Sequence, residues 1–288
     1  MKSITQFISE KLIIKKRNSH QYFANNKAEL REMIGKIIGE SSKDLDLTVI
    51  DVSNVNDFEY LFQDLNTDEF ETVDISNWDV TSSEHLEKMF YGTNFKRIMG
   101  FDTLDLSNIT SLRECFCDCP NLEKIDGIEN ISITSKCNYI NWIFDGDENL
   151  ELPEKLDWDV SGVVYASGVF HNCKKIENLD LTSWNLTKIY TCCKMFYQCE
   201  NLISIKGMDN WKFTNCRDNS YMFSNCKKLE TVGDISNWDM SQTKNVELMF
   251  DQCKKLKCDI SGWKFYPRVR KAYMYRGVNS KLFGKPKL

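Results

Sequence analysis

The chain has 288 residues, 42% hydrophobic and 27% charged, with only 4 Pro and 13 Gly, which suits a continuously ordered body with little room for a flexible linker. The formal net charge of −5 is uneven: residues 1–18 carry +4 and residues 268–288 carry +7, leaving −16 on residues 19–267. A body that acidic repels phosphate backbones, which argues against nucleic-acid binding through it, and no run of 18 apolar residues is present to span a membrane.

Residues 1–22 read as a leader. The apolar residues of MKSITQFISEKLIIKKRN are interrupted by Gln6, Ser9, Glu10 and Lys11, so the uninterrupted core of a secretory signal is missing. Ile4, Phe7, Ile8 and Leu12 fit one side of an amphipathic helix. Residues 23–45 are expected to hold a capping helix, with Asn26 as N-cap and Glu29 at the capping-box position. Leu30, Met33, Ile34, Ile37 and Ile38 share one face, which is expected to lie over the first coil of a repeat array.

Residues 46–275 are periodic. A hydrophobic residue followed by an aromatic recurs at Leu61-Phe62, Met89-Phe90, Cys115-Phe116, Ile143-Phe144, Val169-Phe170, Met195-Phe196, Met222-Phe223, Met249-Phe250 and Met274-Tyr275, at intervals of 25–28 residues. Three residues after the aromatic stands Cys119, Cys173, Cys199, Cys226 or Cys253, with Thr93 and Asp147 as departures. A Trp recurs at Trp78, Trp158, Trp184, Trp211, Trp238 and Trp263. The period is too short for two packed helices and suits one strand plus one short helix. LEKIDGI (122–128), IENLDL (176–181) and LETVGDI (229–235) read as strands; HLEKMF (85–90), CCKMF (192–196) and NVELMF (245–250) read as short helices. The expected fold is an α/β repeat, a leucine-rich-repeat-like solenoid of about nine coils closed at its N-terminus by the capping helix. Tyr273, Met274 and Tyr275 belong to a worn final repeat, and residues 276–288 read as a basic, solvated tail.

The chemistry-bearing residues read as structural. Five of the 12 Cys occupy one repeat position where a small buried hydrophobe fits, which points to reduced core thiols rather than a metal site. His20, His85 and His171 are scattered, and neither a phosphate-binding glycine loop nor an HExxH motif is present. Asp79, Asp159 and Asp239, each following a Trp, suit a turn role. The expectation is a non-enzymatic chain with no cofactor and no metal. Its candidate contact face for a protein partner lies between the inward strand residues, at Glu123, Lys124, Glu177, Asn178, Glu230 and Thr231.

DISNWDV (74–80) and DISNWDM (234–240), each followed by a Met-Phe pair, resemble the BspA-type leucine-rich-repeat surface proteins, in the branch called mycoplasma lipoprotein-associated repeats. KAELREMIGKIIGE followed by LTVIDVSNVNDFEYLF is similar to that family's entry segment, and the resemblance covers about residues 23–275. It implies a non-catalytic domain used in protein–protein or cell-surface contacts, although those proteins usually carry an export signal or anchor. The leader MKSITQFISE also resembles the targeting peptides of large tailed phages, which implies cleavage after Glu10 at Ile8-Ser9-Glu10. Three functions are therefore carried forward: an interaction module, a packaged virion protein with a cleavable leader, and an exported adhesin. The first two place the chain in the cytoplasm or the virion.

Overall fold

Chain reversal in a 25–28-residue coil needs corners, and aspartates supply them. Asp46, Asp51, Asp74, Asp79, Asp105, Asp159, Asp180, Asp234, Asp239 and Asp259 each accept the backbone N–H of the residue two further on, for example Asp239 from Ser241 at 3.0 Å. The side-chain hydrogen bonds from Ser107 and Ser241 hold the Asp105 and Asp239 carboxyls below the usual range. The computed structural model describes residues 20–40, 43–281 and 283–285. It is a β-solenoid of about ten turns with little helix.

The capping helix, α1, runs Lys27–Glu40. Asn26 Oδ1 accepts the Glu29 N–H at 3.0 Å, while the Glu29 carboxylate returns to the Asn25 N–H at 2.9 Å, one residue earlier than the usual box. Leu30, Ile34 and Ile37 are buried and Met33 and Ile38 pack against the core. Arg31 reaches the first coil and donates to the carbonyls of Tyr60, Leu61 and Gln63 at 3.0, 2.6 and 2.5 Å.

Strands exist, but they are short. After β1 (Tyr22–Phe23), which pairs with β3 (Ile50–Asp51), a parallel sheet joins β2 (Asp44–Asp46), β4 (Thr72–Asp74), β5 (Arg97–Met99) and β6 (Lys124–Ile125). Two further pairs follow, β7 (Asn178–Asp180) with β8 (Ser204–Lys206), and β9 (Cys258–Asp259) with β10 (Phe283–Gly284). Register puts one buried aliphatic per strand in a column: Leu45, Val73, Ile98 and Ile125, then Leu179 and Ile205. The expected strands at 122–128 and 176–181 thus shrink to two and three residues, and 229–235 keeps a single bridge, Ser204 to Thr231. Pro153, which has no N–H to give, lies where the first sheet ends.

The expected helix in each coil is absent. HLEKMF, CCKMF and NVELMF are strings of turns, as in Met89 N–H to Leu86 O (3.4 Å), Tyr91 to Lys88 (3.1 Å) and Thr93 to Phe90 (3.2 Å). Two residues before and two after each core aromatic, φ is positive: Lys88 (54°) and Gly92 (68°) flank Phe90, and Lys194 (58°) and Gln198 (61°) flank Phe196. All fourteen described non-glycine residues with positive φ fall in these two registers. The remaining backbone groups bond from coil to coil, as in Phe196 N–H to Met222 O at 2.9 Å, a pattern that a helix would forbid. The left-handed conformation costs an L-residue about 1–2 kcal/mol, and glycine repays part of any relief by about 0.5–1 kcal/mol of chain entropy. Gln198→Gly is therefore expected to stabilise the chain by up to about 1 kcal/mol and Gln198→Val to destabilise it by about 1–2 kcal/mol in urea unfolding. Equal midpoints for both variants would contradict the left-handed assignment.

The interior is built of stacked layers. Phe62, Phe90, Phe116, Phe144, Phe170, Phe196, Phe223 and Phe250 form one column with centroid separations of 5.0–6.1 Å and ring planes within 27°. Trp158 stacks on Trp184 at 5.7 Å, and Trp238 on Trp263 at 5.7 Å. Indole N–H groups close onto carbonyls of the preceding coil, as in Trp238 to Met208 at 2.8 Å and Trp263 to Ile235 at 2.8 Å. The basic segment after Tyr275 is not wholly solvated: Phe283 is buried and meets Phe250 edge-on at 5.2 Å, so it covers the last core layer.

Candidate interaction faces

Coiling gives two long lateral surfaces, the strand ladder and the turn ladder. The six residues expected as a contact face all lie on the strand ladder. Glu123, Lys124, Glu177, Asn178 and Thr231 are exposed and Glu230 is half-buried. They do not make one patch. Glu123 and Lys124 sit on the four-stranded sheet, whereas Glu177, Asn178, Glu230 and Thr231 sit beyond its interruption. This surface is neutralised from coil to coil by Lys43 to Glu71 (3.0 Å), Arg97 to Asp126 (2.6 Å), Lys206 to Glu154 (3.2 Å) and Lys255 to Glu230 (3.5 Å), and within one coil by Lys124 to Asp126 (3.2 Å). The Lys43 hydrogen bond holds Glu71 below the usual carboxylate range. Such exposed pairs are worth about 0–1 kcal/mol each and give a partner little to grip.

The turn ladder is chemically different. Tyr60, Lys88, Glu114, Trp142, Gly168, Lys194 and Tyr221 stand two residues before successive core aromatics, and Tyr91, Asp145, His171 and Tyr197 stand one after. The left-handed backbone brings these two columns side by side. Trp142 meets His171 edge-on at 5.7 Å, His171 stacks on Tyr197 at 5.1 Å, and Tyr197 meets Tyr221 at 5.8 Å. The Lys194 ammonium lies 5.9, 5.8 and 5.9 Å from the ring centres of Trp142, Tyr197 and Tyr221. Lys88 shows the contrasting case: it bonds the Tyr60 hydroxyl and sits 3.3 Å from Glu114, which together raise its pKa. Lys194 has no described carboxylate within 4.0 Å. Beside these columns Tyr139 stacks on Tyr165 at 4.9 Å, Tyr165 meets Tyr190 at 6.1 Å, and Tyr139 and Tyr190 are 40% and 48% exposed.

This aromatic surface was not singled out in the sequence, although a signal exists. Aromatics recur at the two registers flanking the core Phe, where an ordinary solvated face would carry charge.

The groups suited to chemistry stay apart. His20 lies 4.0 Å from Asp51, His85 meets Thr110 at 3.2 Å, and His171 Nδ1 is bonded to Asp145. All twelve cysteines are free thiols, and burial raises the pKa of those such as Cys119, Cys173 and Cys226, and that of Cys137 to about 12. The repeat cysteines donate to the core aromatic carbonyl of the preceding coil: Cys119 to Phe90 (3.0 Å), Cys173 to Phe144 (3.2 Å), Cys199 to Phe170 (2.9 Å), Cys226 to Phe196 (3.0 Å) and Cys253 to Phe223 (3.0 Å). Among the described residues no group of three or more His, Cys, Asp or Glu is placed to hold a metal ion. Among them also, no helix is long and apolar enough to cross a membrane. Glu10 and the leader lie outside the described residues.

No curated protein and no solved structure matches the chain. A family of repeats does, three times over, across residues 26–125, 93–211 and 177–283, and these spans take in the capping helix, every stacked coil and the closing Phe283. The chain belongs to that family, described as Mycoplasma protein of unknown function, DUF285.

Proposed function

We propose that this chain is a non-catalytic interaction module that docks a partner protein on the turn face of the coils carrying Phe144 to Phe223. The observation that carries this reading is the Lys194 ammonium among Trp142, Tyr197 and Tyr221 with no described counter-charge, in an aromatic surface where Asp145 is taken up by His171. Interface centres are enriched in aromatic residues and depleted of Lys, Glu and Asp. The strand ladder, with its ion-paired acids and lysines, has the opposite composition. The resemblance to BspA-type repeat proteins points the same way. A non-catalytic role is supported by the dispersal of the three histidines and the burial of the thiols.

The test is affinity capture from the native source followed by titration with the captured protein. Trp142→Ser combined with Tyr197→Ser and Tyr221→Ser is expected to weaken binding at least about 30-fold, while Glu177→Ala with Asn178→Ala leaves it within about threefold. Loss in the second variant and retention in the first would reverse the assignment of faces. The leader motif Ile8-Ser9-Glu10 favours a rival, the packaged virion protein, and intact mass separates the two. A native chain starting at Lys11 supports packaging; one starting at Met1 removes it. Labelling of the chain on intact cells would instead point to the exported adhesin.

A further inference from the structure

The turn ladder has a direction. At its last interface the N–H groups of Val246, Leu248, Phe250 and Gln252 donate to the carbonyls of Arg270, Ala272, Met274 and Arg276 at 2.8, 3.0, 2.7 and 2.8 Å. The carbonyls of Val246, Leu248 and Phe250 are taken up inside their own coil, by the N–H groups of Met249, Asp251 and Cys253. Every earlier interface from Leu86 onward repeats this arrangement, with N–H groups aimed toward higher residue numbers. Bonds that run the other way, such as Lys244 N–H to Arg217 O and Arg270 N–H to Lys244 O at 2.8 and 2.9 Å, precede this stretch; across the four alternate residues themselves one end presents acceptors and the other donors.

On the acceptor side the Phe62 coil covers the ladder, its ring 5.0 Å from Phe90, and Arg31, on α1, donates to the Tyr60, Leu61 and Gln63 carbonyls of that coil. At the donor end, the register turns the N–H groups of Lys271, Tyr273, Tyr275 and Gly277 outward, and none of the four donates to a described residue. The chain then leaves the ladder, and β10 pairs with β9 on the other side of the coil. Tyr273 is 65% exposed, and Arg268, Lys271 and Lys281 are exposed with no described ion pair. No acid occurs between residues 268 and 288.

We infer that this edge docks an acidic segment of a partner protein, which adds as one further rung by presenting backbone carbonyls from alternate residues. Four donors at alternate residues call for a row of acceptors, and a peptide backbone supplies one. A second copy of this chain does not fit. Its acceptor side is covered by its own Phe62 coil, where Arg31 already takes the Leu61 and Gln63 carbonyls, and its other end, like this one, offers donors at these positions. Arg268, Lys271 and Lys281, which have no ion pair among the described residues, select acidic side chains on the incoming segment. This surface is separate from the aromatic patch, and the two readings stand or fall independently.

The experiment uses the full chain and a fluorescent twelve-residue peptide of alternating Glu and Gly, with the Lys-Gly peptide as control. In the free protein the N–H groups of Tyr273, Tyr275 and Gly277 are expected to exchange with solvent much faster than those of Leu248, Phe250 and Gln252. Saturating Glu-Gly peptide is expected to slow them at least about tenfold, and Arg268→Glu with Lys271→Glu to weaken its binding at least about tenfold. The Trp142, Tyr197 and Tyr221 triple variant is expected to bind it normally. Absence of binding at millimolar peptide, binding without slowed exchange at these N–H groups, equal binding of the Lys-Gly peptide, or displacement by free glutamate at matched carboxylate concentration would each overturn the inference. So would a dimer in which two copies shield these N–H groups from exchange.

Discussion

Phe196→Ala is expected to destabilise the chain by about 3–5 kcal/mol, the usual cost of removing a buried aromatic ring. Phe196 is fully buried and stacks on both sides, with Phe170 at 5.3 Å and Phe223 at 5.5 Å. In a solenoid each coil touches only its neighbours, so one missing ring weakens two adjoining interfaces and divides the core at mid-chain. Urea unfolding followed by hydrogen exchange is expected to show two transitions where the parent shows one. A loss below about 1 kcal/mol with a single transition would mean that the column is not what holds the coils together.

Asp147→Cys is expected to stabilise the chain by about 2 kcal/mol at pH 7. Asp147 stands where five other coils carry Cys, and it is fully buried. Its Oδ1 accepts the Cys119 N–H at 2.9 Å, while its Oδ2 has no partner. Burial pushes its pKa well above the ordinary carboxylate value. The folded state therefore holds this proton more tightly than the unfolded chain does. The stability associated with the neutral carboxyl is fully present below the unfolded pKa of about 4 and is lost as pH rises through the folded pKa. The gap between Asp147→Cys and the parent should accordingly widen from pH 4.5 to pH 8. Carboxylates with lowered pKa, such as Asp105 and Asp239, give the opposite slope in both proteins and cancel in the difference. Asp147→Asn, which keeps an acceptor for Cys119 but cannot ionise, should also flatten the profile. A gap that stays constant, or that grows toward acid, would show that Asp147 is charged and solvated in the fold.

The error over the short helices has a definite origin. In the coil around Phe196 the inward residues are Cys192, Met195, Phe196 and Cys199, spaced as i, i+3, i+4 and i+7, which is the pattern of one helical face. A string of turns with left-handed residues at Lys194 and Gln198 gives the same inward spacing. Composition offered no warning, because most of these left-handed positions hold ordinary residues rather than Gly. The charge balance of the strand ladder was hidden for a related reason. Glu177 and Glu230 were legible as ladder residues between the inward ones, but the cross-coil ion pairs that neutralise that ladder join residues more than 20 positions apart.

Sequence alone determined the repeat, its register, the capping helix and the identity of the inward side chains, because burial of apolar groups at a fixed interval leaves a periodic mark in the chain. Only the tertiary structure decided how each coil spends its backbone hydrogen bonds. A helix satisfies them within four residues; here the partners lie one coil away, and no local signal distinguishes the two. The same choice fixes what the surface offers, since the left-handed residues set Trp142, Lys194, Tyr197 and Tyr221 together and leave on the last coil a row of N–H groups with no acceptor among the described residues.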